Sequence, residues 1–327
     1  MAISISRRKG IKNMAKDVVT SKKKENIRIA TVDIGGTCIK SGLWENHILT
    51  DIRERSTEAL LGASHVMDRV LEILDGYRDF QAVGISTAGQ VNTEKGTITY
   101  ANDNIPGYTG TNVRDIIENR FHVPTAVLND VNSAALGEAY YGAGKGHADF
   151  LCLTYGTGVG GAIVMGGQVY TGCGYSAGEF GGIVTHPEDR HPEQDMFSGC
   201  YERYASTGAL VRSVQSRFPE LRNGREIFAC LDNPEVRKLV TQWIQEITYG
   251  LISLTHIFNP SLIILGGGVM EQDYVIGEVR RMLQEQLIPS FLNVDIQPAA
   301  LGNIAGMLGA ARSAYTDYQN RTSFCHL

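Results

Sequence analysis

The chain lacks several things that would place it quickly. No apolar run in its 327 residues approaches the ~18 that a membrane-spanning helix needs, so no membrane partner is expected. Six cysteines are too few for a disulfide scaffold at this length, which points to reduced thiols and a cytoplasmic setting. Positive charge is in deficit: 30 Lys and Arg against 35 Asp and Glu leave −5, which excludes a protein that holds nucleic acid through its overall charge. Tryptophan occurs twice and aromatics make up 8%, yet 43% of residues are apolar, enough for a sizeable core and too many for a disordered chain. No G-x-x-x-x-G-K-[ST] loop is present, and no G-x-G-x-x-G opens a helix, so a Walker-type or dinucleotide site is disfavoured. What the chain has in excess is glycine, 37 residues without collagen periodicity, so the surplus must lie in particular loops. The length suggests about two domains.

The first 26 residues stand apart. Eight Lys and Arg face only Asp17 and Glu25, a net of +6, and the remainder carries −11. No apolar stretch follows the basic cluster, so a secretory signal is not indicated. A solvated tail, or an upstream extension with Met14 nearer the start, is the plain reading; weak contact with RNA or an acidic lipid surface is the other.

Alternation and β-branching predict strands over 27–33 and 37–44, joined by a turn at Gly35 and Gly36. A helix is expected over 58–74, a strand over 81–86, a helix over 111–121, a strand over 125–129 and a small-residue helix over 132–141. Residues 142–146 read as a hinge, dividing a first lobe (27–142) from a second (143–302). The second half opens with a strand over 149–155, a Gly-rich turn and strands over 160–165 and from Gln168. Long helical patterns cover 200–216 and 235–258; a buried strand over 262–265 ends in Gly266, Gly267 and Gly268, and a last helix begins near 302. Each half thus begins in the same way: strand, Gly-rich turn, strand. Glycine lets backbone N–H groups approach phosphate oxygens with no Cβ in the way, so two such hairpins across a cleft suit a polyphosphate held from both sides.

Seven motifs in order resemble the ROK family of the actin-like sugar-kinase superfamily. They are Asp33-Ile34-Gly35-Gly36-Thr37, Ser86-Thr87-Ala88-Gly89-Gln90, Leu128-Asn129-Asp130-Val131-Asn132-Ser133-Ala134-Ala135, Gly156-Thr157-Gly158-Val159-Gly160-Gly161, Ala177-Gly178-Glu179-Phe180-Gly181, Gly199-Cys200-Tyr201-Glu202 and Leu265-Gly266-Gly267-Gly268-Val269. The resemblance implies an α/β fold of two ribonuclease-H-like lobes around a central cleft, with the last helix (about 303–318) packing back on the first lobe. It implies a kinase transferring phosphate from ATP, with Mg²⁺, to the 6-hydroxyl of a hexose or β-glucoside. It assigns Asp130 as the base, although Asn-Asp before a helix also reads as a plain N-cap. Sugar contacts fall on Gly89, Asn104, Asn129, Asp130, Glu179 and Glu202. Tyr108 follows Asn104 where the family usually has Trp, and a simple turn also explains that Asn. Nucleotide contacts fall on Gly35, Gly36, Thr37, Lys40, Gly156, Thr157, Gly158 and 266–268, and Asp33 is expected to orient Mg²⁺ through water. A homodimer is implied as well.

The resemblance breaks at one place. The family's E-x-G-H has Gly182 for its His, and the following three-Cys zinc pattern has Glu193, Asp195 and Cys200. His186 and His191 lie nearby, but one thiol and two imidazoles match a closed tetrahedral site poorly, so no structural zinc is expected. Zinc-free chains of this kind resemble β-glucoside kinases and some N-acetylmannosamine kinases. Without the His the pocket is expected to be roomier near C1 and C2 of the sugar, unless Tyr175 or a His of 186–191 refills it. The family also contains transcriptional repressors. Against that reading, the 26 residues before Ile27 are too few for a DNA-reading module and lack helix-turn-helix periodicity.

Overall fold

The computed structural model describes residues 26–324; the basic segment 1–25 lies outside it, with whatever it contacts. In chain order the first half comprises β1 (Arg28–Ile34), β2 (Cys38–Glu45), β3 (Ile48–Ser56), α1 (Ala63–Asp75), β4 (Ala82–Thr87), β5 (Gln90–Asn92), β6 (Thr97–Tyr100), α2 (Val113–Phe121), β7 (Thr125–Asn129) and α3 (Asp130–Tyr141). The second comprises β8 (Phe150–Tyr155), β9 (Val159–Met165), β10 (Gln168–Tyr170), α4 (Tyr201–Ala205), α5 (Thr207–Gln215), α6 (Gly224–Ala229), α7 (Pro234–Phe258), β11 (Leu262–Gly266), α8 (Asp273–Gln286), β12 (Asp295–Pro298) and α9 (Ala305–Phe324).

Two five-stranded sheets result, ordered β3-β2-β1-β4-β7 and β10-β9-β8-β11-β12. These orders are the same sentence twice. In each, two antiparallel pairs at one edge give way to parallel strands. The duplication read from the two Gly-rich turns therefore extends through both sheets. β4 is buried along its whole length, as is β11, because helices cover both faces of the parallel strands.

Edge strand β3 escaped the sequence reading. Its run Asp51, Ile52, Arg53, Glu54, Arg55 has no buried alternation, and all of it is exposed. Charge on an edge blocks further strand addition but also erases the period-2 signal. The pattern over 200–216 is likewise two helices, broken at Ser206, whose side chain caps α5 by accepting from Ala209 N.

The last helix α9 lies on β1 and β4 of the first sheet and against α3. Thr31 Oγ1 donates to the Met307 carbonyl at 2.9 Å inside this contact. The approach is so close that a Cβ on Gly309 would strike the Ser133 carbonyl, and one on Gly84 the Ala310 carbonyl. Two chain crossings join the sheets, near 142–146 and 299–304. One carboxylate holds both: Glu138, 1% exposed, accepts from Ala143 N (2.8 Å) and Leu301 N (2.9 Å).

Candidate active site

The C-terminal ends of β1, β4 and β7 reach one rim of the first sheet, and the β8–β9 hairpin faces it from the second. At that rim β7 runs directly into α3. The N-cap of α3 is Asn129, whose Oδ1 accepts from Val131 N (3.0 Å) and Asn132 N (3.1 Å). The capping role open to Asp130 is thus taken by its neighbour. Asp130 is left at the first position of the helix, with Oδ1 accepting from Val131 N (2.9 Å) and Asn129 Nδ2 (2.8 Å). Both donors use one oxygen; among the described residues Oδ2 has no protein partner. The carboxylate opens onto a cavity but is walled by protein. Burial pushes its pKa up to about 6, with the charges of Asp33 and Glu179 adding and the Val131 N–H and Asn129 opposing.

That cavity holds about 460 Å³. Gly89, Asn104, Asn129 and Asp130 wall it on one side, Glu179, Gly182 and Glu202 on the other. Both Gly-rich turns reach it, through Gly36 and through Gly156, Thr157 and Gly158. Asp33, Gly35, Thr37 and Lys40, in or beside the first turn, and Gly266, Gly267 and Gly268, at the end of β11 and just past it, lie outside this wall.

The turns are built to leave donors free. Thr57 donates to the carbonyls of Gly35 and Thr37, through Oγ1 (2.6 Å) and N (2.9 Å). The N–H groups of Gly36 and Thr37 make no hydrogen bond among the described residues, nor do those of Thr157 and Gly158. A Cβ on Gly36 or Gly156 would meet nothing within 4 Å, so there is room for a ligand against this backbone. Just behind, Ser86 Oγ donates to Asp33 Oδ1 at 2.6 Å, and Lys40 faces Asp33 in the β1–β2 register. Burial raises the Asp33 pKa while Ser86 and Lys40 hold it down.

In the second half Glu179 and Glu202 are neighbours. Burial raises Glu179, a hydrogen bond from Gln90 opposes, and the Glu202 charge adds. Glycine makes space for Glu202: a Cβ on Gly158 would lie 2.7 Å from its Oε2, and one on Gly181 3.0 Å. At Gly182, where the resemblance expects a zinc-binding His, a Cβ would meet nothing within 4 Å. The side chains offered as replacements point elsewhere. Tyr175 is not among the residues that wall the cavity, His186 stacks on Tyr204 at 3.7 Å with Nε2 3.4 Å from Glu246, and His191 lies 3.7 Å from Glu193. Asp195 forms a two-point ion pair with Arg203 (2.7 and 2.8 Å), and Arg190 ties the loop through the carbonyls of Met196 and Ser198.

Several wall residues were not assigned from sequence. Phe197 and Asn102 sit in loops without periodicity, and Tyr100 ends the short strand β6. Tyr108 was noted only as a departure from Trp; it is 1% exposed, and its hydroxyl bonds Thr87 Oγ1 at 2.8 Å. Gln90 closes a quoted motif, but nothing in the chain order shows that it reaches the other half.

The sequence model of the ROK family matches residues 29–316. A glucokinase of Streptomyces coelicolor is 32% identical over 310 residues, covering 86% of this chain and 95% of that protein. A beta-glucoside kinase of Listeria monocytogenes is 31% identical over 297 residues, covering 87% and 96%. Among solved structures, a ROK family glucokinase from Streptomyces griseus, in complex with glucose and AMPPNP, superposes with a TM-score of 0.76 at 31% identity, covering 88% of this chain and 99% of that one.

Proposed function

The chain belongs to the ROK family, and on that premise we propose that it transfers the γ-phosphoryl group of ATP to the 6-hydroxyl of a hexose or β-glucoside. The observation that carries this reading is Asp130: an oriented carboxylate with one oxygen unengaged, facing a cavity that both Gly-rich turns reach. A sugar hydroxyl attacks phosphorus well only as its proton leaves, and Asp130 Oδ2 is the acceptor placed to take it. The proton passes to Asp130 as the O–P bond forms, and the bond to the β-phosphate oxygen breaks to release ADP.

The free N–H groups of the two turns suit phosphate oxygens, as donors preorganised in backbone. Asp33, a buried carboxylate with a single side-chain donor, fits a hydrated Mg²⁺ better than direct ligation, since this ion keeps its water. The ion would offset phosphate charge there. Glu179, Glu202, Asn104 and Asn129 supply acceptors and donors for sugar hydroxyls. Asn129 does so sparingly, because its amide already serves the helix cap, Gly89 and Asp130.

The space at Gly182 favours sugars carrying extra atoms near C1 or C2, hence β-glucosides, with N-acetylmannosamine as the second reading. Among the described residues the cysteines at 38, 152, 173, 200 and 230 are unpaired, which together with dependence on ATP fits a cytoplasmic enzyme. A sugar-sensing regulator is the rival of another class, and the free oxygen of Asp130 speaks against it. The test is a coupled ADP-release screen with glucose, cellobiose, gentiobiose, mannose and N-acetylmannosamine. Sugar-dependent ADP release is expected. Its absence with every sugar, together with sugar-modulated DNA binding, overturns the reading.

A further inference from the structure

The aromatic residues in the cavity wall are not alike. Tyr108 is buried, with its hydroxyl bonded to Thr87, but Phe197 is 39% exposed and Tyr100 58%. Phe197 belongs to the loop that follows Gly182. The two ends of that loop meet. Val184 pairs with Cys200, the N–H groups of Thr185 and His186 both donate to the Gly199 carbonyl at 3.0 Å, and Tyr201 N donates to the Ile183 carbonyl at 2.7 Å. This closure returns Phe197 to the same wall as Gly182, where a Cβ would meet nothing within 4 Å.

The loop also fixes Phe197 in place. Asp195 Oδ1 accepts from Phe197 N at 3.0 Å, and Cys200 N donates to the Phe197 carbonyl at 3.0 Å. Asp195 is held in turn by Arg203, with Nε 2.7 Å from Oδ2 and Nη2 2.8 Å from Oδ1. The same guanidinium lies over the Phe197 ring, 5.9 Å from its centroid. Arg203 directly follows Glu202 in α4, so the ring is tied to the helix that carries a cavity-wall carboxylate. Asp195 stands where the family resemblance expects a zinc cysteine. The carboxylate found there instead holds an aromatic residue at the cavity.

We propose that Phe197 is the platform of a second subsite, on which a cyclic aglycone, β-linked to the reacting glucose ring, stacks. The inference rests on the proposed kinase reading and deepens it, by naming β-glucosides whose aglycone is itself a ring, a second hexose above all. A hexopyranose carries its hydroxyls around a rim and presents C–H groups on its face. Laid on a half-exposed aromatic ring, that face leaves water while the rim stays hydrated. The space at Gly182 admits any small substituent on C1. Phe197 adds contact only when that substituent is broad and flat enough to cover it.

The test compares glucose, methyl β-glucoside and cellobiose by coupled ADP release in Phe197→Ala, Phe197→Tyr and Asp195→Ala. Phe197→Ala should raise the KM for cellobiose by about five- to tenfold and leave glucose and methyl β-glucoside within about twofold. Phe197→Tyr keeps a ring and should keep the cellobiose KM close to that of the unaltered enzyme. Asp195→Ala frees the loop with the ring still present, so it should raise the cellobiose KM selectively by a smaller factor. The KM for ATP and the melting temperature of Phe197→Ala should stay near the unaltered values, because the ring is partly exposed and stands apart from the Gly-rich turns. A rise shared equally by all three sugars overturns the proposal, as does an unchanged KM for cellobiose or an unaltered enzyme that does not take cellobiose while it phosphorylates glucose. If no sugar releases ADP, the kinase reading falls. Calorimetric binding of cellobiose and methyl β-glucoside to the unaltered and Phe197→Ala proteins then still decides the subsite: weakening of cellobiose alone supports it, and any other pattern refutes it.

Discussion

Asp130 shows how one residue acquires a role through its neighbour. With Asn129 as the cap, the Asp130 carboxylate turns to the cavity, and burial there raises its pKa to about 6. As the proposed base, Asp130 must be ionised to take a proton, so kcat/KM should climb about tenfold per pH unit below about 6 and level off above it. Asp33 and Glu179 titrate in the same cluster, so the measured limb reports the group, with Asp130 dominant. Asp130→Asn should lower kcat by about 10²–10⁴-fold with the fold retained, a range typical for loss of a general base. Linkage gives a second check. A carboxyl whose folded pKa lies above its unfolded value favours the folded state below that unfolded pKa, and the benefit is lost as pH rises through about 6. Asp130→Asn should therefore melt higher than the unaltered protein at pH 7 and show less difference at pH 4.

Gly182 is the other decisive residue. Because nothing lies within 4 Å of a Cβ there, Gly182→His should fold normally and put an imidazole donor into the cavity. A regained hydrogen bond of about 1–3 kcal/mol would lower the KM for glucose, while gentiobiose and cellobiose lose turnover. Tighter glucose binding with no loss of the disaccharides would contradict the roomy-pocket reading.

Among the elements, α3 and α9 bear the strictest constraints. Their backbones meet at Gly309 and Ser133 with no room for a methyl group. Gly309→Ala should cost about 2–4 kcal/mol, seen as a lower urea midpoint, because the clash is with backbone and cannot be relieved by a rotamer. The end of α3 carries a different device. Glu138 accepts an N–H from each of the two crossings between the sheets, at Ala143 and Leu301. Glu138→Gln keeps its shape but turns one acceptor into a donor facing an N–H, at a cost of about 1–3 kcal/mol. Faster hydrogen exchange should appear at both 142–146 and 299–304, even though they are far apart in sequence. Loss at one crossing alone would mean that the carboxylate does not couple them.

For the whole molecule, two sheets of one topology joined at two adjacent crossings make a hinge the natural mode of motion. Sugar and nucleotide together should draw the lobes closed and shut out water that would hydrolyse ATP. Small-angle scattering should record a smaller radius of gyration with both ligands than with either alone. An unchanged radius, with hydrogen exchange at the two Gly-rich turns also unaltered, would argue against closure.

What the sequence by itself determined is the local chemistry. Glycine at 35, 36, 156 and 158 announces turns wherever the chain goes, and short continuous apolar runs such as 262–265 announce buried strands, because these preferences reside in a few consecutive residues. The place of Asp130 between a strand and a helix was legible for the same reason, while its role as base came only from the family resemblance. Charged β3 was not, since its edge position removed the alternation that marks a strand. Only the tertiary structure decided which distant residues meet. That Gln90 reaches Ser176, that Glu138 holds Ala143 and Leu301, and that Tyr175 and His186 leave the space at Gly182 unfilled all depend on how two sheets face each other. Such contacts join residues tens to hundreds of positions apart, and no local propensity encodes them; they follow from the packing of the whole chain.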